Sequence, residues 1–381
     1  MSERDWIFEA LRDTGVKNVL YIVSKYIFGK IRGIEDLVKC SLCPNMCKYM
    51  CPTHIASGSE THSPAGRARI AYYIEKNLLK ISPQNIYSLY TCLGCGACSI
   101  ICPFNFRVDD LIYSIKVGLK DKLKMIKGVN RIIENLSKYS YLYGPKPKDN
   151  YEGKILYLRG CTIREHLPEL AKLTIDVFNR LGVELATLSE ESCCGIHAYH
   201  MGMDKLFKKL ARENSLLIEN FGGEYCLTSC PAIAYTYRIL YPRINIKMKI
   251  KVLHITEVLK ELLVKEKLHE VKKTVVIHDS GMLTRGLGLE SLYSLLKIIP
   301  GLRIKLPMRT GREVLDVPEY HTLLPFIDEK MTRKIVQERI RELKEEADTI
   351  VVSSPDLKIL FSDFDVDVYD VIEIIGEALG V

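Results

Sequence analysis

The stretch CLGCGACSIICP, from Cys92 to Pro103, sets four thiols at the spacing CxxCxxCxxxCP. Three closely spaced cysteines and a fourth just ahead of a proline form the run that holds a cubane of iron and sulfide in two-cluster ferredoxins. Gly94, Gly96 and Ala97 let the backbone curl tightly around such a group. Upstream, CSLCPNMCKYMCP supplies a second quartet, Cys40, Cys43, Cys47 and Cys51, again with a proline, Pro52, after it. One extra residue separates its second and third cysteines, so this loop is expected to be wider than its partner.

In paired runs of this kind the fourth cysteine ligates the other cluster. That assigns Cys40, Cys43, Cys47 and Cys102 to one [4Fe-4S] cluster, and Cys92, Cys95, Cys98 and Cys51 to its neighbour. Four thiolates also suit zinc. Structural zinc sites, however, usually show two separated CxxC pairs rather than a triplet with a delayed fourth thiol.

The chain has 381 residues, enough for two or three domains with buried cores. Its 13 cysteines, an odd number in a chain that reads as cytoplasmic, argue for metal-bound thiolates rather than disulfides. The apolar run at 19–28 is broken by Ser24 and Lys25 and is too short to cross a bilayer, and Glu3, Arg4, Asp5 and Glu9 break any early signal-peptide core. The net charge of +7 is modest. The lysine-rich stretch 116–127 reads as a solvated helix face, with docking of an acidic partner or anionic lipid as the alternative, and no nucleic-acid motif is present. Two glutamines and one tryptophan beside abundant Ile, Lys and Glu resemble thermophile usage.

Periodicity divides the chain into an N-terminal amphipathic helical segment (1–38), a helical two-cluster ferredoxin domain (39–115), a helical linker (116–150) and two α/β units (151–270 and 271–381). Helices are expected at 65–79, 109–127, 165–181 and 204–220. Strands are expected at 155–158, 183–187, 224–228 and 251–255, then at 274–277, 303–306, 349–353 and 366–371. The repeated order, and endings such as VLHITEVLKEL from Val252 beside VYDVIEIIGEAL from Val368, predict an internal duplication and parallel or mixed sheets. The fold class is therefore α + α/β.

The remaining cysteines, Cys161, Cys193, Cys194, Cys226 and Cys230, all lie in the first α/β unit. Aligned by strands, the second unit carries Gly281 for Cys161, roughly Glu313 and Val314 for the doublet, and Ser354 for Cys230. One thiol site near the seam of two similar folds is the expectation. Gly195 tightens the doublet loop so that both thiols can face one group.

Two ferredoxin quartets ahead of a CCG unit resemble the iron-sulfur subunits of the heterodisulfide reductase (D-type), glycolate oxidase and anaerobic glycerol-3-phosphate dehydrogenase group. The motifs that carry the resemblance are the quartets, CPTHIASGSETHSPAGRARI from Cys51, GC at 160–161, SCCG from Ser192, SCPA from Ser229 and HDSGML from His278, where the group has HDPCHL. The resemblance implies a third iron-sulfur centre on Cys161, Cys193, Cys194 and Cys230. A closing cysteine is replaced by Ile233, and the off-pattern Cys226 is a further candidate ligand. It also implies an FAD-containing dehydrogenase or other redox subunit as partner, with quinone or a membrane anchor at the far end. The expected place is the cytoplasm, or the inner face of the membrane through a partner.

Three functions follow as alternatives: an electron relay for a 2-hydroxy acid or glycerol-phosphate dehydrogenase, reduction of a disulfide at the third centre, or a docking subunit with structural zinc in the CCG domain. No GxGxxG after a strand and no Walker loop supports nucleotide or flavin binding by this chain. His278, Asp279 and Ser280 are too close in sequence for a hydrolytic triad. His197 and His200 stand near the doublet, as polar loop residues or as groups that tune the centre.

Overall fold

The computed structural model describes residues 34–381. The amphipathic helix expected before them lies outside the described residues. Six helices lead: α1 (Ile34–Leu42), α2 (Pro52–Ser57), α3 (Pro64–Glu75), α4 (Pro83–Tyr90), α5 (Val108–Leu119) and α6 (Val129–Tyr139). Three of them, α2, α3 and α4, start on a proline, whose fixed φ suits the first helical turn. The Ser63 hydroxyl accepts from Gly66 N at 3.0 Å to cap α3, and a Cβ on Gly66 would run into the Glu60 carbonyl.

Two four-stranded sheets follow, both wholly parallel. The first contains β1 (Ile155–Leu158), β2 (Leu185–Ala186), β3 (Tyr225–Thr228) and β4 (Lys251–His254), in the order β2-β1-β3-β4. The second contains β5 (Thr274–His278), β6 (Arg303–Lys305), β7 (Thr349–Val352) and β8 (Asp367–Asp370), in the order β6-β5-β7-β8. The two orders are the same. The closing helices α12 (Ile255–Leu263) and α15 (Val371–Leu379) also share a device, a capping box in which His254 or Asp370 is answered by Glu257 or Glu373.

The crossover expected as one helix over 165–181 is two, α7 (Gly160–His166) and α8 (Pro168–Arg180). Pro168 cannot donate to the preceding turn and holds Leu167 out of helical geometry, so the chain restarts there. The remaining helices used below are α9 (Ile196–His200), α10 (Asp204–Phe221), α11 (Pro231–Tyr235), α13 (Glu329–Lys344) and α14 (Pro355–Ser362).

Strand alternation sorts side chains into three cores. Tyr157 and Leu227 of the first sheet meet Val275, Ile277 and Val351 of the second, with α8, α12 and α15 around them. Leu156, Leu158, Cys226 and Val252 face the other way and share one core with α1 and α3 to α6. On the far side of the second sheet, Val276, Ile350 and Val352 pack with α13, and Ala56 and Leu93 of the cysteine-rich helical region join them. Both sheets thus grip the helical region, which is a wall of the molecule rather than a separate body.

The stretch 116–127 departs from the solvated-face expectation at one residue. Lys120, Lys122, Lys124 and Lys127 are exposed, whereas Lys116 is 2% exposed and lies against the Tyr90 ring.

Candidate metal centres

The extra residue of the first quartet is absorbed at Asn45, whose φ of 69° lies in the left-handed region that asparagine tolerates. Its side chain is pinned, with Nδ2 donating to Glu60 Oε2 and Ser63 Oγ at 2.8 Å each. The wider loop is held by the segment that caps α3. Cys40, Cys43, Cys47 and Cys102 then line one cavity, with Phe104 and Phe106 beside them.

Burial first, and then the facing thiols Cys102 and Cys43, push Cys40 up to about 12. Cys47 is pushed up to about 12 as well, by burial and by Cys40, Cys51, Cys43 and Cys102. Crowded, desolvated thiols of this kind cannot ionise together unless a cationic group sits among them. That is the donor set an iron-sulfur cluster requires.

A second cavity is lined by Cys51, Cys92, Cys95 and Cys98. Cys98 Sγ borders both cavities, and the Val108 amide donates to it at 3.5 Å. The surroundings are cationic. Arg67, 1% exposed, reaches Cys51 Sγ with Nη1 at 3.6 Å; Arg107 Nη2 donates to Gly94 O at 2.9 Å; and Arg285 Nε donates to Cys95 O at 3.2 Å. Burial raises the Cys92 thiol, and Arg67 and Lys116 act against it. At the first cavity Arg69 acts against burial on Cys40.

The carboxyl ends of β1 and β3 carry the third group. The neighbouring thiols Cys161 and Cys194, ahead of burial, raise the Cys193 thiol well above the ordinary range. Cys230 is raised by burial first, then by Asp356 and Cys194. The doublet's backbone is fixed on three sides: Cys193 N donates to Ser140 O at 2.9 Å, Asn214 Nδ2 to Cys193 O at 2.9 Å, and Tyr241 Oη to Cys194 O at 3.0 Å. Ile233, at the position of the missing cysteine, is 4% exposed and packs on Gly160. Cys226 points into the core from within β3, and its thiol is raised by burial and then by Glu191.

Zinc would demand tighter grouping. At about 2.3 Å from each sulfur, a tetrahedral ion draws its ligands to roughly 3.8 Å from one another. Among the described residues, the one set of three or more donors lying within 4.8 Å of one another is Glu319, His321 and Asp356, and it contains no thiol.

His200 links two of the thiol groups. It ends α9, the helix that follows the doublet, and its ring lies on the loop of the second quartet, where a Cβ on Gly94 would stand 2.6 Å from its Cε1. Gly94 also has φ of 67°. Gly94→Ala is therefore expected to cost on the order of 2 kcal/mol from strain and overpacking, and to lower the iron retained by the second quartet. Gly58→Ala, at φ 64° with open space around it, should cost only the backbone part, about 1 kcal/mol. Thermal melts and iron assays of the two variants make the comparison.

His278 and Asp279 do structural work, while the buried Ser280 hydroxyl has no hydrogen-bond partner. Arg339 Nε donates to His278 Nδ1 at 3.1 Å, and the Asp279 carboxylate takes hydrogen bonds from Ser291 Oγ, Leu292 N, Thr310 Oγ1 and Gly311 N. Glu313, the expected counterpart of the doublet, is exposed. The contacts place the correspondence further on, since Cys194 acts on Cys230 while Glu319 accepts from the hydroxyl of Ser354, the strand counterpart of Cys230.

The 4Fe-4S dicluster domain family matches residues 36–106, and the cysteine-rich CCG domain family matches residues 155–232. These matches cover the two cysteine-rich stretches of the chain. It is 26% identical over 391 residues to the D-type subunit of dihydromethanophenazine:CoB–CoM heterodisulfide reductase from Methanosarcina barkeri, covering 91% of this chain and 95% of that one. It is 24% identical over 213 residues to the glycolate oxidase iron-sulfur subunit of Escherichia coli, covering 47% and 52%. A hypothetical protein from Helicobacter pylori shares this fold, with a TM-score of 0.62 at 14% identity over 95% of this chain and 76% of the other.

Sequence patterns found the thiols but missed their supports. Asn45, Arg67 and Gly66 lie within or beside the quoted motifs and were readable as part of them. Lys116, Arg285 and the Glu319, His321 and Asp356 group carried no motif signal.

Proposed function

We propose that this chain is the electron-relay subunit of an oxidoreductase complex, with clusters on Cys40, Cys43, Cys47 and Cys102, on Cys92, Cys95, Cys98 and Cys51, and a third centre on Cys161, Cys193, Cys194 and Cys230. The observation that carries this reading is the continuity of the three thiol groups. The first two share the wall at Cys98, and His200 bridges the loop of the second to the helix after the doublet. When bound, the clusters supply one-electron transfer.

The residues sort into roles along that row. Leu42, Met46 and Tyr49 within the first quartet's run, and Ile101 and Phe104 on either side of Cys102, are 80%, 62%, 60%, 42% and 56% exposed, which suits an apolar docking face for a redox partner. Arg67, Arg107, Lys116 and Arg285 offset negative charge at the second group. At the third, four thiols suffice for a cubane, and Cys226 is a bystander in the β3 core. The second sheet reads as a degenerate copy of the first, its thiols lost. A flavin-containing dehydrogenase is the partner in this reading, with quinone or another carrier downstream.

Near full-length similarity to a heterodisulfide reductase component favours, as a second reading, disulfide reduction at the third centre. One anaerobic preparation distinguishes the two. About twelve irons per chain, with reduction by a copurifying flavoprotein and no disulfide turnover from an artificial donor, supports the relay. Disulfide turnover by the isolated chain supports the second reading, and about eight irons overturns the third centre.

A further inference from the structure

The second sheet holds a donor set of a different kind where its thiols would have stood. Strands β1 and β3 are followed, two residues on, by Gly160-Cys161 and Cys230-Pro231; β5 and β7 are followed by Ser280-Gly281 and Ser354-Pro355. The buried Glu191 accepts from the Arg159 and Gly160 amides after β1, and the buried Asp316 accepts from the Gly281 amide after β5. Three residues beyond Glu191 stands Cys194, beside Cys230. Three residues beyond Asp316 stands Glu319, hydrogen-bonded by Ser354. Glu319 thus takes the place of Cys194, and His321 and Asp356 close around it.

Glu319, His321 and Asp356 are 3%, 8% and 3% exposed. His321 Nδ1 lies 3.6 Å from Asp356 Oδ2 and 3.8 Å from Glu319 Oε2. The charges acting on Glu319 are His321 and Asp356, and those acting on His321 are the same two carboxylates and the Cys194 thiol. Burial comes first in raising Glu319, to about 7, and among the described residues no lysine or arginine is among the charges that act on Glu319 or His321. A divalent cation held there would compensate the buried carboxylates.

The surroundings also contain an unused polar atom. His197 is 4% exposed, and its ring is docked on the Glu319 to His321 segment through Nε2 and Tyr320 O at 2.7 Å; its Nδ1 has no hydrogen-bond partner. His321 and Asp356 are the charges acting on that ring. Two carboxylates and an imidazole whose ligand atoms lie within 4.8 Å of one another are the donors of an intermediate divalent ion rather than of iron-sulfur chemistry, which takes thiolates.

We propose that Glu319, His321 and Asp356 bind one divalent cation of the zinc class through oxygen and nitrogen alone, as a separate metal site across the seam from Cys194 and Cys230. Three protein ligands leave a tetrahedral ion one position short, the form of a site that accepts a further ligand. The site needs none of the thirteen cysteines, so it stands whether the thiols carry a relay or a disulfide-reducing centre.

The test uses the full chain with its clusters assembled anaerobically, supplied with one equivalent of Zn²⁺ and then freed of excess ion. X-ray absorption at the zinc edge reads the ligands without interference from iron. The expected result is one zinc per chain with a nitrogen and oxygen shell at about 2.0 to 2.2 Å and no sulfur. Glu319→Gln should weaken zinc binding at least tenfold at unchanged iron content, as an independent metal competition assay would read. A sulfur shell near 2.3 Å, failure of the wild-type chain to retain zinc, or equal affinity in Glu319→Gln would each overturn the site. Iron content, assayed on the same sample, reports separately on the cluster assignment. Asp356 also accepts from Thr162 Oγ1 and His321 N, so Glu319→Gln is the safer substitution for the fold.

Discussion

Cys102→Ala is expected to remove the cluster framed by the first cysteine run and to leave the one framed by the run in which Cys102 itself lies. The thiol of Cys102 lines the cavity of Cys40, Cys43 and Cys47 and is the first of the neighbouring charges that raise Cys40. Cys51→Ala should do the reverse, because Cys51 lines the cavity of Cys92 and Cys95. Each variant should drop from about twelve irons per chain to about eight, and one of two paramagnetic signals should vanish on reduction. The signals can be told apart by Arg69→Met, which touches the first group alone. If Cys102→Ala instead extinguishes the signal that responds to Lys116 substitutions, the exchange of fourth ligands is wrong.

Lys116→Met should move the second cluster to a lower midpoint potential, on the order of 60 mV, equivalent to about 1.4 kcal/mol for a one-electron couple. The sign follows from charge. Reduction adds an electron beside a buried ammonium, and removing that ammonium stabilises the oxidised form relative to the reduced one. Burial lowers the Lys116 pKa, while the nearby Cys92 thiolate works to keep it protonated. Solvent screens little at 2% exposure, so the effect should exceed that of the same change at exposed Lys120. A redox titration followed by electron paramagnetic resonance measures it, and a shift to higher potential or none at all would refute the role.

What the sequence made legible follows from how local each signal is. Cysteine spacing is local, and the thiols of both quartets and of the CCG doublet gather as their spacing implies. Strand positions were readable to within three residues, because buried parallel strands give short apolar runs bounded by turns. The break at Pro168 was also present in the sequence, though helical periodicity on either side of it masked the restart. Lys116 was unreadable for a different reason. Its four exposed neighbours in the stretch 116–127 have the same chemistry, and only packing against Tyr90 and the second quartet separates it from them. The Glu319 counterpart was displaced by a longer connection after β6, so strand counting arrived at Glu313, and only the hydrogen bond from Ser354 to Glu319 restores the register.

The third core, in which Leu93 and Ala56 pack with strands of the cysteine-free sheet, and the Arg285 hydrogen bond to Cys95 O, give that sheet a duty its lost thiols do not suggest. In the proposed relay it shields the inorganic sulfide of the second cluster from dioxygen. The half of the protein without cysteines thus bears on how long the clusters of the other half last in air.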